Sequence, residues 1–247
     1  MRPSYGIDAP LLVRNFLLAG LVLLALAGSL LFGFSARAWA LWVGIILLVP
    51  ASYSSGMFCL MLWDSLVTKV RGRDAILDLL TWHGNEAVLD IGCGSGLLLV
   101  AAARRLTTGH ATGVDLWLDR DQASNAPTRA IANATIEGVT DRVSVETGDM
   151  RALPFPDRSF DVVVSHWVVH NLDNASDRRV AMTEMKRVLR PGGTILLTDI
   201  VFRDEYLKTF RELGLLEVRL KIPSIARDKL LSLVSFGTYQ PATVIAR

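Results

Sequence analysis

Two cysteines in 247 residues leave no material for a disulfide framework, and their placement excludes a zinc cluster too. Cys59 lies in an apolar run and Cys93 among glycines, so a reducing cytosolic setting is the simplest one for the globular part. An excess of one charge sign is also missing: 26 Lys and Arg against 24 Asp and Glu give a net charge of +2. Composition therefore points to no polyanionic partner, because nucleic-acid binders more often carry a basic face. Internal repeats, low-complexity tracts, paired catalytic carboxylates, a serine triad and metal-ligand spacing are all absent, so no resident metal is expected. Charge itself is missing from two long stretches, residues 15–36 and 38–63.

At about 1.5 Å per residue, either stretch can cross a ~30 Å hydrocarbon core as a helix. Spans are expected at about 15–36 and 39–62, and the short connection around Arg37 makes residues 1–63 a membrane hairpin. Arg2 and Arg14 precede it, Lys69, Arg71 and Arg73 follow it, and Arg37 stands alone in the turn. By the positive-inside bias both ends face the cytoplasm, and the last three cations would favour anionic headgroups. Phe34, Trp39, Trp42 and Trp63 fall where interfacial aromatics belong, and Pro50 is a candidate kink. Ala25, Ser29 and Gly33 share a helix face, which would allow close helix contact or simply reflects the abundance of small residues in such helices. The competing reading is a secretory signal cleaved near Ala38-Trp39-Ala40, against which stand the length of the first run and the immediate second one.

Residues 64–83 read as an amphipathic linker helix with a break near Gly72, and 84–247 as one domain. There, strands expected at 87–91, 111–116, 142–146, 160–165, 194–200, 216–222 and 242–246 alternate with helices at 97–106, 121–136, 177–189 and 204–213. Such alternation gives an α/β fold, a largely parallel sheet covered by helices on both faces. Ligands of these sheets bind beyond the carboxyl ends of the strands.

That place is occupied by Val88-Leu89-Asp90-Ile91-Gly92-Cys93-Gly94-Ser95-Gly96, a strand running through an acid into three glycines and then a helix. Glycines let the backbone approach a ligand closely, and the helix start offers unpaired N–H groups. An acid two residues before the first glycine suits hydroxyls or an amine better than phosphate, which fits a nucleoside cofactor with a cationic amino-acid tail. The nicotinamide fingerprint G-x-G-x-x-G fails at its third glycine, where Leu97 stands. Asp115, about 20 residues on, can accept both hydroxyls of a ribose. Trp117 beyond it either covers the base or packs. Asp149 can accept from an adenine amino group with Met150 against the ring, or else cap a turn.

With these residues in view, the chain resembles the class I S-adenosylmethionine-dependent methyltransferases. Val88 to Gly96 matches the first motif of that family, and Gly113-Val114-Asp115 its ribose-binding acid. Leu153-Pro154-Phe155-Pro156-Asp157 with Ser159-Phe160-Asp161-Val162-Val163 matches the approach to the fourth strand, and Arg187-Val188-Leu189-Arg190-Pro191-Gly192-Gly193 the turn before the fifth. The likeness covers about residues 73–247 and is greatest to the small-molecule branch that includes quinone and other lipid-ring methyltransferases. It implies a Rossmann-like seven-stranded sheet with a reversed last strand, preceded here by the transmembrane hairpin. It also implies S-adenosyl-L-methionine as cofactor. Asp90, Gly92, Gly94 and Gly96 would surround its methionine part, Asp115 the ribose and Asp149 with Met150 the adenine, and Cys93, Leu116 and Ser165 complete the site.

The Asn/Asp-Pro-Pro-aromatic signature of nucleic-acid amino methyltransferases is replaced by Ser165-His166-Trp167-Val168, so nucleic acid is not the expected substrate. His166 and His170, four apart and on one face if helical, are the candidate catalytic bases; the bland alternative is a backbone or passive cofactor contact. The expected activity is methylation of a lipophilic small molecule, a quinone precursor or another lipid, at the cytoplasmic bilayer face. Two other readings stay open: a cofactor-binding membrane protein without methyl transfer, and N-methylation of a phospholipid or protein. The acceptor pocket is expected from the linker helix and residues 202–230.

Overall fold

The computed structural model describes residues 3–34, 36–118, 122, 125–222, 232, 233, 235 and 240–247. The chain divides into two compact units, one comprising Gly6–Arg71 and Leu118–Ser124, the other Met1–Tyr5, Gly72–Trp117 and Asn125–Arg247.

In the first unit, α1 (Pro10–Gly28) runs into a π turn, Ser29–Gly33. It starts earlier than the uncharged stretch suggested, because Pro10 sits at the first turn, where its missing N–H costs nothing. The helix α2 (Ala38–Trp63) runs through Pro50 and continues by a second π turn, Asp64–Thr68, into α3 (Lys69–Leu77). The break expected near Gly72 does not occur; a glycine inside a helix costs only about 1 kcal/mol. The helical segments Pro10–Gly33 and Ala38–Leu77 are each long and apolar enough to cross a membrane.

Helices α1 and α2 meet through small residues, though not those expected. Val13, Gly20 and Ala27 are buried on one side, and Ala40, Gly44, Ala51 and Ser54 on the other, while Ala25, Ser29 and Gly33 face outward. The contact face of α1 repeats every seven residues, the period that keeps a seam facing a neighbouring helix. A Cβ on Gly20 would stand 2.7 Å from the Ser55 hydroxyl oxygen, so the absence of a side chain is what brings the helices together. The cations after the second run are also not all available to headgroups. Lys69 is buried with its Nζ 2.8 Å from Asp8 Oδ1 and 3.0 Å from the Gly6 carbonyl, leaving Arg71 exposed.

The second unit is built on β1 (Ala87–Ile91), α4 (Leu97–Ala103), β2 (His110–Asp115), α5 (Pro127–Ile136), β3 (Val143–Thr147), β4 (Phe160–His166), α6 (Ala175–Val188), β5 (Leu189–Asp199), α7 (Arg203–Glu212), β6 (Arg219–Lys221) and β7 (Ala242–Ala246). The strands form one seven-stranded sheet in the order β3-β2-β1-β4-β5-β7-β6. Strands β1 to β5 pair in parallel, whereas β7 is antiparallel to both β5 and β6. This is the Rossmann-like seven-stranded arrangement, with a reversed last strand, that the resemblance implied. Alternation along each strand divides the core between the two faces: Val88, Val162 and Val164 pack with Leu98, Leu99 and Ala130, and Leu89, Ile91 and Val163 with Met182, Met185 and Phe210.

Boundaries moved where local chemistry overrode pattern. Asn174 caps α6 by accepting from the Asp177 amide, which starts that helix before the expected 177. The Pro191-Gly192-Gly193 segment lies inside β5 instead of ending a helix, with an irregular register between Phe160 and Val162 of β4. Helix α5 begins at Pro127; of the residues expected to precede it in the helix, 121, 123 and 124 lie outside the described residues, as do 223–230 of the expected acceptor segment.

Candidate active site

Strand order reverses between β1 and β4, since β1 is followed by β2 on one side and β4 on the other. Beyond the carboxyl ends of those strands lies the crevice in which such sheets bind ligands. The glycine turn, Asp115, Asp149 and the segment after β4 all emerge there.

The turn hangs between its neighbours. The amides of Gly92 and Cys93 donate to the Val114 carbonyl at 2.8 and 3.2 Å, and the Ser165 hydroxyl donates to the Ile91 carbonyl at 3.0 Å. Ser165 therefore ties β4 to β1 through its side chain. Asp115 accepts from the Gly94 amide at 2.8 Å, the Trp117 amide at 2.7 Å and Asn125 Nδ2 at 3.2 Å, which fixes its carboxylate beside the turn. Trp117 donates its indole N–H to Thr147 Oγ1 at 2.9 Å, and Leu116 is exposed next to it. Cys93 is buried and its thiol fills the space left by the missing Gly113 side chain. Burial and the charges of Asp90 and Asp115 push that thiol up, so it packs beneath the loop as an inert hydrophobe.

Gly92 has φ +69°, and a Cβ on it would lie 2.5 Å from Val168 Cγ2. Both the left-handed backbone and the approach of the segment after β4 demand glycine here. Gly92→Ala is expected to weaken cofactor binding about tenfold through strain and displacement of the turn. The added change Val168→Ala should recover part of that loss by removing the clash but not the strain. Calorimetric titration of the single and double variants measures this, and a double variant no better than Gly92→Ala would refute the steric account.

Asp90 is only 2% exposed. Desolvation pushes its pKa up to about 7, the Asp115 charge adds to the rise, and a hydrogen bond from the Leu99 backbone opposes it. The turn thus carries two carboxylates, one of them desolvated, with no cation among the described residues acting to lower it. This donor set fits a ligand that brings its own positive charge and hydroxyls, as a cationic amino-acid tail and a ribose do.

Asp149 was expected to meet adenine, but here its carboxylate is taken by Arg151. The Arg151 Nε lies 3.1 Å from both carboxylate oxygens, its Nη2 2.6 Å from one of them, and its Nη1 2.8 Å from Asp177. That guanidinium holds the Asp149 carboxyl below the usual carboxylate range. A contact between Asp149 and an adenine amine requires Arg151 to yield an acceptor lone pair. Met150 is half-buried against the core of the second face.

The two candidate bases do not share a helix face. His166 ends β4, Trp167 follows with φ +57°, and His170 lies in a 3₁₀ turn, Val169–Asn171. The His166 ring stacks on Trp167, with centroids 4.8 Å apart. The His170 Nδ1 donates to Asp199 Oδ1 at 2.5 Å and its amide to Asp199 Oδ2 at 3.0 Å. Asp199, the last residue of β5 and 2% exposed, also accepts from Tyr206 Oη at 3.0 Å and from the Ile200 amide at 2.8 Å. Burial and the Asp199 charge push the Tyr206 phenol up, so it stays a proton donor. The carboxylate thus fixes the His170 ring with the proton on Nδ1 and the lone pair on Nε2. Behind it, Arg178 forms a two-point ion pair with Glu205 and stacks 3.8 Å over the Phe202 ring. Asp199 and Tyr206 escaped the sequence reading. Their one signal was an acid ending a strand that lies beside β4, and that needs the strand order.

A methyltransferase-domain family profile matches residues 89–197. Methyltransferase GfsG of Streptomyces halstedii is 37% identical over 133 residues, covering 54% of this chain and 44% of the relative. The 27-O-demethylrifamycin SV methyltransferase of Amycolatopsis mediterranei (strain S699) is 34% identical over 131 residues, covering 53% and 44%. The chain spans less than half the length of these curated relatives. Among solved structures, the geranyl diphosphate C-methyltransferase of Streptomyces coelicolor A3(2), in complex with Mg2+, geranyl diphosphate and S-adenosyl-L-homocysteine, superposes with a TM-score of 0.58 at 16% identity, over 76% of this chain and 83% of that one.

Proposed function

We propose that residues 89–197, which the methyltransferase-domain profile matches, are a class I, S-adenosylmethionine-dependent methyltransferase domain, and that this chain is a membrane-anchored enzyme that methylates a hydroxyl of a lipophilic small molecule. The observation that supports the choice of oxygen is the His170–Asp199 pair: an alcohol or phenol must lose its proton to become a nucleophile, and a histidine oriented by a buried carboxylate is suited to take it. The bound cofactor supplies an electrophilic methyl group on a sulfonium sulfur. Asp90 and the glycine turn would hold its methionine part and Asp115 its ribose. The His170 Nε2 takes the acceptor proton as the oxygen attacks, and Asp199 steadies the imidazolium that forms. Tyr206 and the Ile200 amide hold Asp199 in turn. Alignment of acceptor and methyl group supplies the remainder of the rate.

Two apolar helical segments ahead of the domain support the anchor, and Arg14 and Arg71, away from the turn, favour a cytoplasmic face for the domain. A site held at a bilayer surface suits an acceptor that partitions into lipid. The relative named for an O-demethylated rifamycin is consistent with oxygen as acceptor atom. The test is to incubate the full chain in vesicles with methyl-labelled cofactor and an extract of membrane lipids, followed by mass spectrometry. Label in a lipid-soluble product one methyl group heavier, as an alkali-stable ether, supports the proposal. Cofactor binding without any labelled product, or label confined to nitrogen, sinks it.

A further inference from the structure

The residues just ahead of α1 make contacts that the cofactor site does not obviously need. Asn133, on α5 and 2% exposed, exchanges a pair of hydrogen bonds with the Ser4 backbone: Ser4 N donates to Oδ1 at 2.9 Å and Nδ2 donates to the Ser4 carbonyl at 2.9 Å. The same Nδ2 donates at 2.8 Å to the carbonyl of Ser95, inside the glycine turn. One buried amide thus joins the N-terminal arm to the loop around the cofactor. A second link lies along the same helix. Tyr5, 4% exposed, hydrogen-bonds to Glu137, which also forms a two-point ion pair with Arg73 at 2.8 and 2.9 Å, and Arg73 donates to the Tyr5 oxygen at 2.7 Å. This buried cluster pushes the Tyr5 phenol up and the Glu137 carboxyl down, so phenol and ion pair both keep the forms their contacts require. Helix α5 in turn sits directly on the turn: a Cβ on Gly96 would be 3.3 Å from the Ala130 Cβ.

We propose that Asn133 is a positioning residue for the cofactor turn, and that the arm Ser4–Tyr5 must dock on α5 for the turn to hold S-adenosylmethionine at full affinity. The physical reason is preorganisation. The Ser95 carbonyl fixes the middle of a three-glycine turn that otherwise has wide conformational freedom, and ordering such a loop at the moment of binding weakens affinity. The Asn133 amide keeps its orientation only while Ser4 occupies its other donor position and its acceptor. Coupling of this kind is reciprocal, so bound cofactor must in turn hold the arm.

The test uses the full chain in detergent and S-adenosyl-L-homocysteine as probe, read by calorimetric titration and by hydrogen exchange, neither of which depends on an acceptor. Asn133→Asp keeps shape and the bond from Ser4 N but sets a carboxylate oxygen against the Ser4 and Ser95 carbonyls. Its Kd is expected to rise at least about tenfold, the loss of one or two buried hydrogen bonds. Ser4→Pro removes the arm's N–H, together with the hydroxyl that accepts from Arg129 Nη2 at 3.0 Å, and is expected to raise Kd about fivefold, with the apo melting temperature nearly unchanged. The probe should slow amide exchange at Tyr5 in the wild-type chain and less so in Ser4→Pro. If Ser4→Pro binds within twofold of wild type and exchange at Tyr5 ignores the probe, the proposal is overturned, whether or not Asn133→Asp folds.

Discussion

Replacing His170 by alanine is expected to lower kcat by two to four orders of magnitude, the contribution typical of a positioned general base. The Kd for S-adenosyl-L-homocysteine should stay within about threefold, because His170 is linked to Asp199 and not to the carboxylates of the glycine turn. Asp199→Asn keeps the shape and the contact with Tyr206 but offers an amide where a charge had been. The imidazole can then turn its lone pair toward the amide and carry its proton on Nε2, the wrong nitrogen for accepting one. A loss of about 10²-fold or more in kcat is expected from that change alone. Both defects should narrow as the pH rises toward the acceptor's own pKa, since an acceptor already ionised needs no base. A merely structural role for the pair would produce no such convergence. Measured kcat values across a pH series for the wild type and the two variants decide the matter, and a His170→Ala enzyme that keeps a tenth of its activity at neutral pH rejects the assignment. His166→Ala is the internal control, expected to act mainly through its stacking on Trp167.

Asp90→Asn should separate affinity from stability. The Asp90 pKa is raised from 3.8 to about 7, so its protonated form is the one the folded apo protein accommodates. The associated stability is fully present below pH 3.8 and is lost as the pH rises through about 7, where the carboxylate must ionise without water. A neutral asparagine removes that penalty, so the apo variant should melt no lower than wild type near about pH 8. Binding moves the opposite way. The ionised carboxylate is what a cationic tail recognises, and its loss is expected to weaken binding about 100-fold or more, as when one partner of a buried charge pair is removed. Wild-type affinity should itself fall about tenfold per pH unit below 7. Titration calorimetry and thermal melts over that range read both effects, and a variant that binds within threefold of wild type at about pH 8 contradicts the role given to Asp90.

Much of the candidate site is legible in the sequence because it depends on local chemistry. A strand that carries Asp90, ends at Ile91 and enters Gly92, Gly94 and Gly96 has few backbone solutions, and the strands 87–91 and 242–246 lie where the pattern put them. The proposed base was half legible. His170 stood out as a residue type, but His166 stood out equally, and no spacing rule separates two histidines whose partner lies 29 residues further on. Pairing β4 with β5 brings His166 level with Thr198 and so carries Asp199 to the 3₁₀ turn that holds His170. The helix contact face stayed open in the sequence for a related reason: Ala25, Ser29 and Gly33 satisfy the spacing, but rotation about the helix axis is set by the partner, and the structure turns Gly20 toward Ser55 instead.

The sequence by itself determined the parts whose causes lie within a few residues. These are two helices with no polar face to bury, alternating strands and helices, and a glycine turn with an acid two residues ahead of it. Tertiary structure alone decided which charges are available and which are engaged. Lys69 went to Asp8, Arg73 to Glu137 and His170 to Asp199. The reason is that a side chain's chemistry is finished by its neighbours. Burial removes the water that would otherwise make every carboxylate and every imidazole alike, and only the fold names the partner that replaces it.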